Sequence, residues 1–176
     1  MKAIKGIIIG TILVFSIGVV VFLGLSLYAY NNLKYYSVYY AQQMPHKEGT
    51  EPDLVMLIEN MWWVYTPEIE GIRYDDDGRN FIENSTNLTG KPTNFDELIG
   101  GYGYSDQNDV TYKFNKNFSL EWAIDKDYKK IDLATVDEKK IKEEIRETVQ
   151  PVLDVQSKPL INLQWLFNLL YQDRFN

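Results

Sequence analysis

Histidine occurs once in this chain of 176 residues, at His46, and cysteine does not occur. Relays of the Ser-His-Asp or Cys-His kind need an imidazole held in a packed site; His46 instead follows Pro45 in the polar stretch QQMPHKEGTEP. A hydrolytic zinc needs several His or Cys ligands, which one histidine cannot supply. The missing cysteine also removes disulfide scaffolds, thiol nucleophiles, iron–sulfur clusters and Cys-linked lipid anchors. Asp and Glu number twenty-five, so a pair at glycosidase spacing arises by abundance alone and identifies nothing. No catalytic, cofactor-binding or metal-binding residue is assigned, and the expectation is a protein that is not an enzyme and carries no cofactor.

Two stretches imitate ligand loops. A helix-loop-helix calcium loop counted from Asp75 would want an acid or amide at Arg79, glycine at Asn80 and glutamate at Thr86. None fits, and Asp77-Gly78 reads as a hairpin tip. Gly100-Gly101-Tyr102-Gly103-Tyr104 lacks the Lys-Ser/Thr pair of a phosphate loop and reads as a flexible aromatic-glycine loop. Asn84-Ser85-Thr86, Asn87-Leu88-Thr89 and Asn117-Phe118-Ser119 match the glycosylation acceptor pattern, which matters only in a secretory pathway that glycosylates.

The side chains best suited to binding are tyrosines. Tyr28, Tyr30, Tyr35, Tyr36, Tyr39 and Tyr40 crowd around Lys34. A tyrosine ring is apolar and its hydroxyl wants water, which suits the headgroup zone of a bilayer and suits protein interfaces equally. Tyr35/Tyr39 and Tyr36/Tyr40 lie four apart, so a continuing helix would align them in ridges. Tyr35, Tyr36, Tyr39 and Tyr40 are therefore the candidate partner-binding residues.

These tyrosines stand at the exit of an apolar segment, Gly6 to Tyr30, twenty-five residues without a charge. As a helix it covers about 37 Å, enough for a hydrocarbon core of about 30 Å with some tilt. Lys2 and Lys5 precede it and outweigh the cationic density beyond, which places the N-terminus in the cytoplasm and the rest of the chain outside. A cleaved secretion signal is the competing reading, with Gly24-Leu25-Ser26 an acceptable cleavage site, but a signal's apolar core runs only about 7–15 residues. Gly6, Gly10 and Gly18 lie at four-residue steps, a weak helix-pairing signal.

Residues 1–44 are read as a transmembrane anchor with an aromatic juxtamembrane helix, 45–52 as a linker, and 53–176 as a soluble extracytoplasmic α+β domain. Fifteen Lys and Arg face twenty-five acids after residue 44, a net charge of −10. That excludes nucleic acid, whose phosphates need a basic face, and favours a protein partner with a basic surface. Leu54, Leu57, Ile58, Met61 and Trp62 predict a helix capped by Asp53 and ended by Pro67, with Trp62-Trp63 in the core. Ile72–Tyr74 with Asn80–Ile82, and Val110–Phe114 with Phe118–Ile124, predict two hairpins of an antiparallel sheet. In the second, Val110, Tyr112 and Phe114 on one strand and Phe118, Leu120, Trp122 and Ile124 on the other meet the core. Asp137 caps a helix to about Gln150 whose Ile141, Ile145, Val149 and Val152 form a stripe, with Glu138/Lys142, Lys140/Glu144 and Lys139/Glu143 pairs outside. Uncharged Pro159–Gln172 reads as the central core helix, or else as a partner or membrane-contact surface.

The resulting expectation is a single-pass membrane protein, held in the bilayer through residues 6–30, serving as a structural or regulatory subunit. The alternatives are a tethered inhibitor of a toxin or lytic enzyme, and a secreted binding protein whose leader is removed.

Overall fold

The computed structural model describes residues 2–74, 80–86 and 90–176, with side chains from residue 9 onward. Helix α1 (Lys2–Tyr35) takes in the whole apolar run. Its large side chains stand in the open from Ile9 to Tyr30, and among the described residues it is the one helix long and apolar enough to cross a membrane. Tyr36 (φ −102°, ψ 19°) breaks the helix for one residue before α2 (Ser37–Gln43). Packing starts at once, because Asn32, Leu33, Val38, Tyr40, Ala41 and Met44 are all buried. The domain therefore begins to build its interior on the last turn of α1, ahead of residues 45–52.

Helix α3 (Pro52–Glu59) starts with proline at its first turn, where no N–H bond is lost. Its cap is Glu51, in the left-handed region (φ 48°), in place of the expected Asp53. Leu54 through Ile58 are buried on every side, the mark of a central helix. It ends at Glu59, eight residues before Pro67, so the stripe that begins at Leu54 breaks before Trp62 is reached.

The class is α+β, with a six-stranded antiparallel meander in the order β1-β2-β3-β4-β5-β6. Its strands are β1 (Ile72–Tyr74), β2 (Phe81–Asn84), β3 (Thr93–Leu98), β4 (Gly101–Ser105), β5 (Thr111–Asn115) and β6 (Leu120–Ile124). Both expected hairpins form, although the Asp77-Gly78 tip of the first lies outside the described residues. Between them stand β3 and β4, the latter where the sequence reads as loop. Gly100–Tyr104 is thus no flexible loop. Tyr102 and Tyr104 point into the core, while Gly101 and Gly103 take the opposite face, where Lys113 and Asp96 crowd over them.

The second hairpin contains an irregularity beside Lys113 and Phe114. An extra residue on one strand flips the face of everything beyond it. Ala123, opposite Tyr112, is buried, and Trp122 pairs with Lys113 and is part-exposed, contrary to the expected alternation. Phe118 keeps its core place from within the turn (φ 61°), stacked on Phe114 at 5.0 Å.

After a 3₁₀ turn at Leu133–Thr135, α4 (Glu138–Leu153) lies over β2 and β3. Asp137 caps it by accepting from the Lys140 N–H, and the Ile141, Ile145, Val149, Val152 stripe is buried as expected. Lys142–Glu138 and Lys140–Glu144 pair at 2.7 and 3.5 Å. The helix continues through Pro151 to Leu153 because Val152 and Leu153 gain burial. The last helix, α5 (Gln164–Tyr171), returns to α2.

Candidate functional site

Three regions carry polar or apolar groups that packing alone does not account for: the α1–α2 junction, the rim around it, and a cleft beside α4.

At the junction Tyr40 is the centrepiece, with no solvent exposure. Its hydroxyl donates to Asn32 Oδ1 at 2.6 Å and accepts the Leu163 N–H at 3.0 Å, while its carbonyl accepts from Gln164 Nε2 at 2.9 Å. Asn32 Nδ2 reaches the Ile161 carbonyl at 3.3 Å. The Phe167 ring lies 5.4 Å from that of Tyr40. Burial raises the phenol pKa, the Leu163 N–H partly offsets this, and the neighbouring phenols add to the rise. One residue therefore fastens α1, α2 and the segment leading into α5. On the other side Lys34 Nζ donates to Asn60 Oδ1 at 2.7 Å, and the Trp63 ring meets Tyr30 edge-on at 5.7 Å.

The four candidate tyrosines do not share a surface. Tyr35 is exposed, Tyr36 and Tyr39 are half-buried against the core, and Tyr40 is inside. The Tyr35 and Tyr36 rings meet edge-on at 4.8 Å, and those of Tyr39 and Tyr40 at 5.8 Å.

Two guanidinium clamps hold the frame. Arg146 makes a bidentate contact with buried Asp53 (2.8 and 2.9 Å) and reaches Glu51 at 2.6 Å. Arg174 grips Glu59 at 2.8 and 2.6 Å and contacts the Tyr102 hydroxyl, which itself donates to Glu59 at 2.7 Å. Burial alone would raise the Glu59 carboxyl, but hydrogen bonds from Arg174 and Tyr102 hold it below its ordinary value. Burial and the facing carboxylate push the Tyr102 phenol well up.

The rim overturns two sequence expectations. Trp62 and Trp63 are exposed at 70% and 41%, outside the core. The 159–172 segment is no central core helix: Leu160, Trp165 and Leu169 stand 99%, 66% and 72% exposed, and within α5 only Phe167 is fully enclosed. Hydrophobicity announces that a surface must be covered but not by what, so the sequence could not separate the core from an outer contact.

The cleft has a volume of about 390 Å³ and opens between β2–β4 and α4, with Tyr104, Asp106, Glu144 and Glu147 on its walls. Asn84 Nδ2 donates to the Thr148 carbonyl at 2.9 Å, and Thr93 and Thr148 share a hydroxyl contact at 2.9 Å. Asn84 thus turns its amide inward, away from any glycosyl transfer, whereas Asn117 is exposed and Asn87 lies outside the described residues. Asp106 folds its own loop by accepting the Asn108 and Val110 N–H groups. Burial, with Asp106 alongside, pushes the Tyr112 phenol up to about 12. His46, exposed, bonds the Met44 carbonyl through Nδ1 and lines none of these walls. Among the described residues no three His, Asp or Glu side chains converge as a metal ion would require.

Comparison with known proteins gave no match, whether to a family model, a curated protein or a solved structure.

Proposed function

We propose that the chain is a single-pass membrane-anchored, non-enzymatic subunit whose domain lies outside the cytoplasm and binds a protein partner in a structural or regulatory role. One observation carries the reading. The apolar helix enters the domain with no flexible tether, fixed by Tyr40, Asn32 and Lys34. A leader destined for removal has no need of such joinery, because cleavage after Ser26 would leave Asn32 and Leu33 near a free chain end. A fixed attitude to the bilayer suits a protein that presents one face to a membrane neighbour, where tethering also raises effective concentration.

The inhibitor reading draws support from a separate feature, the cleft walled by Asp106, Glu144 and Glu147, whose chemistry suits a basic side chain of a target. Binding that weakens steeply with salt favours it, and salt-indifferent binding favours a subunit.

The chain's lack of cysteine makes the topology test direct. In sealed vesicles of known sidedness, a membrane-impermeant maleimide should label Lys126→Cys from the extracytoplasmic side and Lys2→Cys only after lysis, with both resisting alkaline extraction. The opposite labelling pattern refutes the orientation. Release by alkali refutes the anchor.

A further inference from the structure

We infer that the rim around the exit of α1 is a lipid-contact surface: Trp62, Trp63, Leu160, Ile161, Trp165 and Leu169 sit in the headgroup–acyl boundary of the bilayer that α1 enters. This rests on the anchored reading above and goes beyond it, since a tethered domain could equally stand clear of the membrane.

Position is the first ground. The apolar run ends at Tyr28–Tyr30, and its length of about 37 Å against a hydrocarbon core of about 30 Å puts those residues at the boundary. The two rim segments are tied at that level. Trp63 packs edge-on against Tyr30, and the Ile161 carbonyl accepts from Asn32, two residues further along the same helix. Each tie is short, so neither segment can lie far from the depth of Tyr30.

Chemistry is the second. Residues 159–172 carry no charge, and Lys158, at their border, is exposed with a stem long enough to reach the phosphates. Tryptophan favours this zone because its ring is apolar and its N–H seeks water. Helix α5 is apolar on two sides, with Gln164 and Asn168 between, and each apolar side wants cover. The protein covers the side bearing Phe167 and leaves Trp165, Leu169 and Leu170 bare. On this flank Glu59 is paired with Arg174 and faces Lys34 as well, while exposed Asp173 follows the uncharged segment directly.

The full chain in phosphatidylcholine vesicles, with or without bromine on the acyl chains, tests this by contact quenching of tryptophan emission. Three variants are needed: one retaining only Trp165, one retaining only Trp63 (the other tryptophans changed to Phe), and a tryptophan-free chain carrying Phe22→Trp inside α1. Circular dichroism certifies each fold, and the unaltered protein supplies a summed signal that needs no substitution. Loss of most emission from Trp165, Trp63 and Phe22→Trp in brominated lipid is the expected result. If Phe22→Trp is quenched while Trp165 and Trp63 are not, the domain stands off the bilayer, the rim belongs to a protein partner or a second copy, and the inference is overturned with the anchor intact. If Phe22→Trp is also bright, the anchor itself fails and takes the inference with it.

Discussion

Replacing Tyr40 with Phe removes one oxygen from the best-connected residue of the junction and leaves its ring, its contact with Phe167 and its volume in place. Two groups lose their partner together: Asn32 Oδ1, on a residue 6% exposed, and the half-buried Leu163 N–H. An orphaned buried group costs about 1–3 kcal/mol. Leu163 is near enough to the surface to recover part of its loss from water, so the sum is about 2–3 kcal/mol. With a urea slope of about 1–3 kcal/mol per molar, the midpoint should fall by roughly 0.7–3 M. The measurement is urea unfolding of the full chain in mild detergent, read by near-ultraviolet dichroism, together with hydrogen exchange at the Leu163 amide. Tyr35→Phe is the matched control, because the Tyr35 side chain is exposed, and it should shift stability by less than about 0.5 kcal/mol. If Tyr40→Phe matches Tyr35→Phe in both midpoint and exchange, the hydroxyl is not a fastening and the rigid-junction reasoning fails. For the same reason a partner-binding test by tyrosine replacement should alter Tyr35 alone, since a change at Tyr40 would disturb the fold.

Acid should loosen the domain through Glu59. Its carboxyl is held below the ordinary value in the folded state, so its contribution is full above the unfolded pKa of about 4.3 and fades as pH falls through the folded value. Glu59→Gln should flatten that part of the acid limb in urea midpoints taken between neutral pH and pH 3, and an unchanged slope would remove Glu59 as its source. Gly101→Ala should destabilise by about 3 kcal/mol, at the upper end of overpacking costs. The added Cβ would collide with the Phe114 carbonyl, backbone that cannot swing aside. A thermal midpoint equal to wild type would show that β4 does not approach β5 so closely.

How legible all this was in the residues varied by element, for physical reasons. The apolar run, the α4 stripe and the Asp137 cap follow from local periodicity and local hydrogen bonding, and they stand as expected. Strand β4 defeats propensity: its glycines lower strand preference, and only Asp96 and Lys113 closing over them from adjacent strands makes their smallness an asset. A signal was present in the strict Gly/Tyr alternation of residues 101–104, which is a period of two. Trp122 was misplaced because the register shift between it and Leu120, where Glu121 is the extra residue of β6, is invisible in the residues themselves. The candidate tyrosines range from exposed Tyr35 to enclosed Tyr40, a difference in burial that their spacing alone does not announce. For Trp62, Trp63 and the 159–172 segment, composition held the need for cover without naming the cover.

The meander sets an order of assembly. Every strand pairs with its neighbour in sequence, so each hairpin can zip as it leaves the ribosome, without waiting for distant chain. Tyr40 is made early, yet its phenol finds the Leu163 amide only 123 residues later. Until that late segment arrives, the site that α5 will fill, around Tyr40, has no lid. Folding of this chain therefore starts locally and finishes globally, and its slowest, most chaperone-dependent step should be the final closure, not the formation of the sheet.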